Sequence, residues 1–167
     1  MPNYRRMRVP GGTVALTVTL ADRSCGHLID HIDLLRQSYA SACRDRQFET
    51  LAICVLPDHF HALWQLPEDD YDYRVRVAAV KARFTRSLPN HLKTNARKGE
   101  RGVWQSRFYE HHIRDAEDHA THVNYIHYNP VKHGLVANMD DWPHSTWHRF
   151  EEEYGREWKA PSADMRM

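Results

Sequence analysis

Two histidines separated by a single residue are the strongest candidates for chemistry in this sequence. His59 and His61 lie in the stretch 55–66, VLPDHFHALWQL. Turn-forming residues at 57–58 precede residues of strand character, and side chains alternate between the two faces of a strand, so both imidazoles project from one face. Two imidazoles so placed can hold one divalent metal ion in common. The alternative is that both are half-buried and satisfied by hydrogen bonds.

A second candidate group lies near the end of a predicted helix over residues 115–129. Tyr125 and Asn129 are four residues apart and therefore share one helix face. Tyrosine can form a covalent intermediate once its proton is removed, and Asn129 would add an oxygen ligand to the two histidine nitrogens. Mg²⁺ and Mn²⁺ take oxygen-rich shells, so phosphate oxygens and water must complete such a site. On spacing alone, we favour ordinary packing of these residues at a helix end.

The elements that must position these residues form a sheet with helices. Strands are predicted from β-branched or alternating residues at 13–20, 48–56, 59–66, 103–105 and 108–113. The second of them runs through the turn at 57–58 into the histidine strand, which predicts a hairpin. Helices are predicted from apolar residues at helical spacing at 26–46, 73–86 and 115–129. The last should end at Pro130, because the residue before a proline avoids the α region.

The overall composition is typical of a soluble protein. A length of 167 residues suits one domain, which we place over 1–150 with a C-terminal tail at 151–167. The hydrophobic fraction of 41% and the mean hydropathy of -0.74 argue against membrane residence. No apolar run approaches the ~20 residues of a membrane span, and no signal-peptide core follows the N-terminus. We therefore expect a cytoplasmic protein with no membrane partner. Three unpatterned cysteines indicate reduced thiols.

Two further segments stand out between and after these elements. Residues 87–102 are polar, basic and glycine-bearing, which predicts a mobile loop. After Gly134, aromatic and charged residues alternate, and this segment carries Trp142, Trp147 and Trp158. A disordered tail would rarely hold so many tryptophans, so we expect it to pack back on the body.

Positive charge is concentrated in two places. Residues 78–107 hold eight Lys or Arg against the single acidic Glu100, and three arginines stand at the N-terminus. Such clusters are typical of a protein that binds a phosphate backbone, although a solvated helix face explains the longer stretch equally well. The basic residues are Lys81, Arg83, Arg86, Lys93, Arg97, Lys98, Arg101 and Arg107, with Arg5, Arg6 and Arg8.

Six short motifs in this sequence resemble those of a known protein family. They are NYRR at 3–6, PGGT at 10–13, LPDHFH at 56–61, VWQSRFYEH at 103–111, YIHYNPVKHG at 125–134 and DWPHST at 141–146. In these motifs the sequence resembles the REP-associated tyrosine transposases, a branch of the HUH single-tyrosine transposases. The motifs occur in the family's order and span nearly the whole chain, so their combination is specific although no single motif is.

The resemblance implies an α+β fold in which helices pack on a ferredoxin-like antiparallel sheet, the HUH core. It implies that His59 and His61 hold a divalent metal, Mg²⁺ or Mn²⁺, with Asn129 as the third ligand and Tyr125 as the nucleophile. It also implies recognition of a DNA hairpin with an adjacent single-stranded tetranucleotide. Cleavage and rejoining of single-stranded DNA would pass through a 5′-phosphotyrosine. Tyr109, off the helix, and Tyr128, rotated from the Tyr125 face, do not match the motif position.

DNA contacts are predicted on the same basis. Basic residues would hold phosphates, and Trp104, as an exposed aromatic, would stack on unpaired bases. The predicted contacts are Arg5, Arg6, Lys81, Arg83, Arg97, Lys98, Trp104, Arg107 and Lys132.

Two other functions stay open at this point. One is a domesticated hairpin-DNA-binding protein that no longer cuts, against which the presence of all four motif residues argues. The other is an ordinary metallohydrolase built on His59 and His61. That class needs a third histidine or a carboxylate near the pair, and strand parity points Asp58 away from the histidine face. The protein could act as a monomer or as a homodimer.

Overall fold

The computed structural model describes residues 8–93 and 102–154. The strands are β1 (Thr13–Thr19), β2 (Glu49–Val55), β3 (His59–Gln65) and β4 (Tyr109–His112). The helices are α1 (His27–Asp30), α2 (Ile32–Asp45), α3 (Tyr73–Ser87), α4 (Ala116–Lys132) and α5 (Trp147–Tyr154), with 3-10 turns at Asn90–Leu92 and Met139–Asp141. None of the described helices is both long and apolar enough to cross a bilayer.

The four strands form one antiparallel sheet in the order β2-β3-β1-β4. Strands β2 and β3 form the predicted hairpin. Thr17 in β1 lies directly opposite His61 in β3 on one side and Tyr109 in β4 on the other. Helices pack on this sheet, so the predicted α+β fold with an antiparallel sheet is confirmed.

Alternation along the strands divides the core between the two faces of the sheet. One face packs against α2 and α3 and includes Phe60 with Val80 and Phe84. The other face packs against α4, where Leu63 meets Ile126. Helix α4 makes its sheet contacts mainly with β2 and β3. The histidines, which flank Phe60, therefore project toward α4. Their spacing predicts that they share one face, and this is confirmed.

The sequence predicts that helix α4 ends at Pro130. In the structure the helix continues to Lys132. A proline inside a helix forfeits one backbone donor without ending the helix when the packing around it holds. The end is a Schellman cap in which the N–H of Leu135 donates to the Pro130 carbonyl. The N–H of Gly134 donates to the Val131 carbonyl, and Gly134 adopts a φ of 68°. Helix α4, which carries Tyr125, therefore extends as far as Lys132.

Two other predicted elements differ in extent. The helix expected over 26–46 is interrupted at His31, whose ψ of 37° departs from helical values, and this separates α1 from α2. The strand expected over 103–105 is reduced to a single bridge between Trp104 and Leu20. Half of the loop predicted at 87–102, residues 94–101, lies outside the described residues.

The segment after α4 packs on the body, as predicted, for two of its three tryptophans. Trp142 donates from Nε1 to the Val55 carbonyl, and Trp147 is buried. Thr146 bonds to the backbone of Ile53, so the segment covers the edge strand β2. Trp158 lies outside the described residues.

Candidate active site

The two histidines occupy the start of β3 with both rings buried. His59 is 4% exposed and His61 is 3% exposed, and their ring centroids lie 4.8 Å apart at an angle of 89°. The Nδ1 of His59 donates to Asp58 Oδ1 at 2.7 Å, and Arg23 holds the other carboxylate oxygen at 2.7 Å. Because a carboxylate can only accept, Nδ1 carries the proton and the lone pair of His59 is on Nε2.

His61 is oriented in the same way by a partner on β1. Its Nδ1 lies 2.8 Å from Thr17 Oγ1. Its Nε2 is buried and has no hydrogen-bond partner among the described residues. Burial lowers the pKa of His61 well below its usual range, and the neighbouring His59 lowers it further. The ring is therefore neutral near pH 7, and with its proton on Nδ1, donated to Thr17 Oγ1, its buried Nε2 offers a lone pair.

Asn129 supplies a second buried atom without a partner. The residue is 0% exposed, and its Nδ2 donates to the Tyr125 carbonyl oxygen at 2.8 Å. Its Oδ1 has no hydrogen-bond partner within the described part of the chain. The Asn129 side chain lies close to the His61 imidazole and raises its pKa, against the larger opposing effect of burial. A nitrogen lone pair and an amide oxygen thus face each other in a buried site.

This donor set fits a divalent cation. Buried polar atoms in proteins are almost always paired, so two unpaired lone-pair atoms in one place indicate a missing positive partner. His59, His61 and Asn129 together offer two imidazole nitrogens and one oxygen, ligands that Mn²⁺ and Mg²⁺ accept. Hydrogen bonds to Thr17 and Asp58 hold both rings by their outer nitrogens, as in known metal sites.

Tyr125 lies beside this donor set. Its ring is perpendicular to that of His61 at 5.5 Å between centroids, and the residue is 7% exposed. Lys132 stands seven residues on, with Nζ 3.3 Å from the Tyr125 hydroxyl and 4.5 Å from its ring centroid. Motif spacing therefore brings Tyr125, Asn129 and both histidines together, with a cation at the hydroxyl.

Known proteins are similar to this chain over most of its length. Residues 25–129 match the family described as "Transposase IS200 like". This chain belongs to that family. A REP-associated tyrosine transposase of Escherichia coli is 42% identical over 149 residues, covering 89% of this chain and 84% of the relative. A Haemophilus influenzae protein described as "Putative REP-associated tyrosine transposase" is 48% identical over 153 residues, covering 89% of this chain and 87% of that protein.

A solved structure matches along the whole chain. It is the structure of a REP-associated tyrosine transposase bound to a REP hairpin, with a TM-score of 0.84 and 39% identity. The match covers 100% of this chain and 99% of that one. The chain is thus a member of the REP-associated branch of the IS200-like transposases, and its sheet with helices is the HUH fold of that family.

The predicted orientation of Asp58 is wrong for this transposase. Strand parity points it away from the histidines, yet it contacts His59 directly, because it precedes β3 and lies in the turn. Thr17 is not singled out by the sequence, since only the register of β1 against β3 places it beside His61. His133, with its ring 5.2 Å from that of His59, was missed although it stands in the YIHYNPVKHG motif.

Among the described residues, the predicted DNA contacts do not form one surface. Lys81 donates to the Gln105 carbonyl, and Arg83 pairs with Asp45; both lie on α3, across the sheet from Tyr125. Arg107 is exposed just before β4, and Lys132 lies at Tyr125. Arg5, Arg6, Arg97 and Lys98 lie outside the described residues.

The expectation of an exposed Trp104 is wrong. The indole is 6% exposed, packs against Phe60 and Phe84, and donates from Nε1 to the Lys81 carbonyl. Its basic neighbours in the sequence suggested an accessible tryptophan. The backbone bridge between Trp104 and Leu20 instead places the indole in the core between the sheet and α3.

A second histidine cluster lies on the α4 side of the sheet and was not singled out from sequence. Ligand atoms of His111, Asp118 and His122 all lie within 4.8 Å of one another, so the three could hold a metal ion. The His111 Nε2 donates to Asp118 Oδ2 at 2.8 Å, and the His122 Nδ1 donates to the Asp118 carbonyl at 2.8 Å. Arg114 also donates to Asp118 Oδ2, from its backbone N at 3.0 Å and from Nε at 3.1 Å.

Proposed function

We propose that this transposase is a divalent-metal-dependent enzyme that cuts and rejoins single-stranded DNA next to a hairpin through a 5′-phosphotyrosine on Tyr125. One observation carries the proposal: the buried His61 Nε2 and Asn129 Oδ1 lack protein partners beside the tyrosine ring. A packing role for these residues would leave two desolvated lone-pair atoms uncompensated, which costs about 1–3 kcal/mol each.

The metal would be held by His59, His61 and Asn129, with Mg²⁺ or Mn²⁺ as the candidates. When bound, it would act as a Lewis acid toward the scissile phosphate and offset the charge that develops there. The protein's own contribution is orientation. Thr17 and Asp58 hold the two imidazoles by their outer nitrogens, so the inner nitrogens face the site.

The chemical step is a transesterification at phosphorus. The Tyr125 oxygen would form a bond to the phosphorus, and the bond from phosphorus to the 3′ oxygen would break. The tyrosine proton passes to solvent, the departing 3′ oxygen takes up a proton, and nothing is oxidised or reduced. Rejoining is the reverse attack by a 3′ hydroxyl, so no nucleotide cofactor is needed. The Lys132 ammonium, 3.3 Å from the hydroxyl, is placed to hold the attacking oxygen.

The DNA substrate is proposed from the relative whose structure contains a REP hairpin. Phosphate contacts would supply most of the affinity. Lys132 at the tyrosine and Arg107 before β4 are candidates, with Lys81 and Arg83 on the other face of the sheet. Arg5, Arg6, Arg97 and Lys98 remain candidates from sequence.

The proposal is tested by trapping the covalent adduct. A labelled hairpin oligonucleotide with an adjacent single strand is incubated with protein and Mn²⁺, and the products are separated on a denaturing gel. Wild type should form a protein–DNA adduct, and Tyr125→Phe should form none while keeping its fold, since the ring still fills its space. Tyr128→Phe is the matched control three residues away and should form the adduct. An adduct in Tyr125→Phe would mean another nucleophile, and hairpin binding with no wild-type adduct would favour a non-cleaving binding protein.

A further inference from the structure

The face of the sheet that carries the histidines also carries an exposed aromatic ring. Tyr109 is 41% exposed and lies in β4, directly opposite Thr17 of β1. Thr17 in turn lies directly opposite His61 of β3. Side chains of directly opposed residues project from the same face. Tyr109, Thr17 and His61 therefore form one row across three strands.

Two contacts fix the orientation of this row. Thr17 Oγ1 reaches His61 Nδ1, so the Thr17 side chain is on the histidine face. His111, two residues after Tyr109 and thus on the same face of β4, stacks on His122 of α4 at 4.5 Å. Two strand spacings of about 4.8 Å put the Tyr109 backbone roughly 10 Å from that of His61. A single strand that passes the metal ligands would cross Tyr109 within a short reach.

The surroundings of Tyr109 suit nucleic acid. Helix α4 packs mainly over β2 and β3 and meets β4 at His111, whereas Tyr109 at the start of β4 remains exposed. Arg107, two residues earlier, is exposed, and Lys132 brings a second cation to the Tyr125 hydroxyl. Proteins that bind single strands combine a basic groove with exposed aromatic rings on which bases stack. The buried Trp104 cannot take that role, whereas Tyr109 is accessible.

We infer that Tyr109 forms a base-binding subsite and stacks on an unpaired base of the strand that leads to the scissile phosphate. The inference rests on the proposed function for its substrate but not for its chemistry, because stacking needs neither metal nor cleavage. Stacking uses the ring face, so the phenyl ring is required and the hydroxyl is not.

The test is equilibrium binding with two DNA probes. Fluorescence anisotropy is measured without metal, in the Tyr125→Phe background, for a hairpin with an adjacent single strand and for the same hairpin without it. Tyr109→Leu should weaken binding of the first probe about 5- to 150-fold, the equivalent of one stacked base, and leave the second unchanged. Tyr109→Phe should bind both probes like the parent protein. Tyr71→Leu is the matched control, since Tyr71 is 38% exposed but lies beyond the opposite end of β3.

Three results would overturn the inference. Unchanged binding in Tyr109→Leu would remove the subsite, provided that its circular dichroism matches the parent. An equal loss in Tyr109→Phe would assign the effect to the hydroxyl. An equal loss on the hairpin without a single strand would assign it to duplex contacts. Failure of wild type to form an adduct overturns the proposed chemistry alone, because these binding differences are measured without cleavage.

Discussion

Two histidine clusters lie on the same side of the sheet, and they differ in how their polar atoms are satisfied. In the first, His61 Nε2 and Asn129 Oδ1 are buried without partners among the described residues. In the second, the Asp118 carboxylate accepts from His111 and Arg114, and these donors account for it. Residue types alone would favour the second cluster, because it has two histidines and a carboxylate.

The orientation of the imidazole rings also favours the first cluster as the metal site. A metal lies in the plane of each imidazole that binds it, so two ligating rings must have planes that meet at the ion. The rings of His59 and His61 are at 89°, whereas those of His111 and His122 are stacked at 10°. The second pair would have to rotate to bind one ion. We therefore interpret it as a clamp that ties β4 to the first turns of α4, the helix that carries Tyr125.

The comparison teaches that unpaired lone pairs mark a ligand site better than ligand types do. A metal substitutes for hydrogen-bond partners, so its ligands lack protein partners toward the ion and have them on the outer side. Thr17 and Asp58 provide those outer partners at the first cluster. At the second, the ligand atoms are one another's partners.

The largest expected effect is at the first cluster. His61→Ala should abolish strand cleavage in Mn²⁺. The variant loses one of the three proposed metal ligands, an imidazole whose orientation is fixed by its bond to Thr17. Hairpin affinity should change less than about threefold, since phosphate contacts dominate binding. Gel cleavage assays and anisotropy measure the two effects. Cleavage that persists without metal in the His59→Ala, His61→Ala double variant would contradict the metal assignment.

A smaller effect is expected from the outer partner of the same histidine. Thr17→Val keeps the shape of the side chain and removes only the hydroxyl that bonds to His61 Nδ1. Loss of such a partner costs roughly 10–100-fold in metal affinity or activity. Cleavage measured over a Mn²⁺ titration should shift to higher metal concentration. Thr19→Val, with no described bond to either ring, is the control, and an equal shift there would assign the effect to the sheet.

The smallest effect on activity is expected at the clamp. Burial raises the pKa of Asp118, but hydrogen bonds from His111 and Arg114 outweigh this and hold it well below its usual range. Asp118→Asn should lower the free energy of unfolding at pH 7 by about 1–3 kcal/mol, from lost charged hydrogen bonds. The Mn²⁺ concentration that supports cleavage should not change. Urea unfolding and the same metal titration measure these quantities.

The acid dependence sharpens this prediction. A carboxyl whose pKa is depressed in the folded state stabilises above its unfolded pKa, about 3.9 for Asp, and loses that contribution as the pH falls through the folded value. The difference in unfolding free energy between wild type and Asp118→Asn should therefore shrink progressively below about pH 4. A difference that stays constant to pH 2, or a raised Mn²⁺ requirement, would contradict the clamp.

Periodicity along the chain was enough to predict much of the site. The hairpin, the shared face of His59 and His61, and the shared face of Tyr125 and Asn129 all follow from alternation in a strand or from the turn of a helix. These are local properties, so a sequence specifies them before any element meets another. Family motifs then indicated that the two pairs belong together, which spacing could not do.

Tertiary structure decided which other side chains complete the site. The order β2-β3-β1-β4 puts Thr17 between His61 and Tyr109, and no local pattern carries strand order or register. Trp104 is buried because of its bridge to a distant strand. Lys132 reaches Tyr125 because the cap at Gly134, rather than Pro130, ends α4. Each depends on contacts between residues far apart in the chain or on the competition between two helix-ending signals, and only the folded chain resolves these.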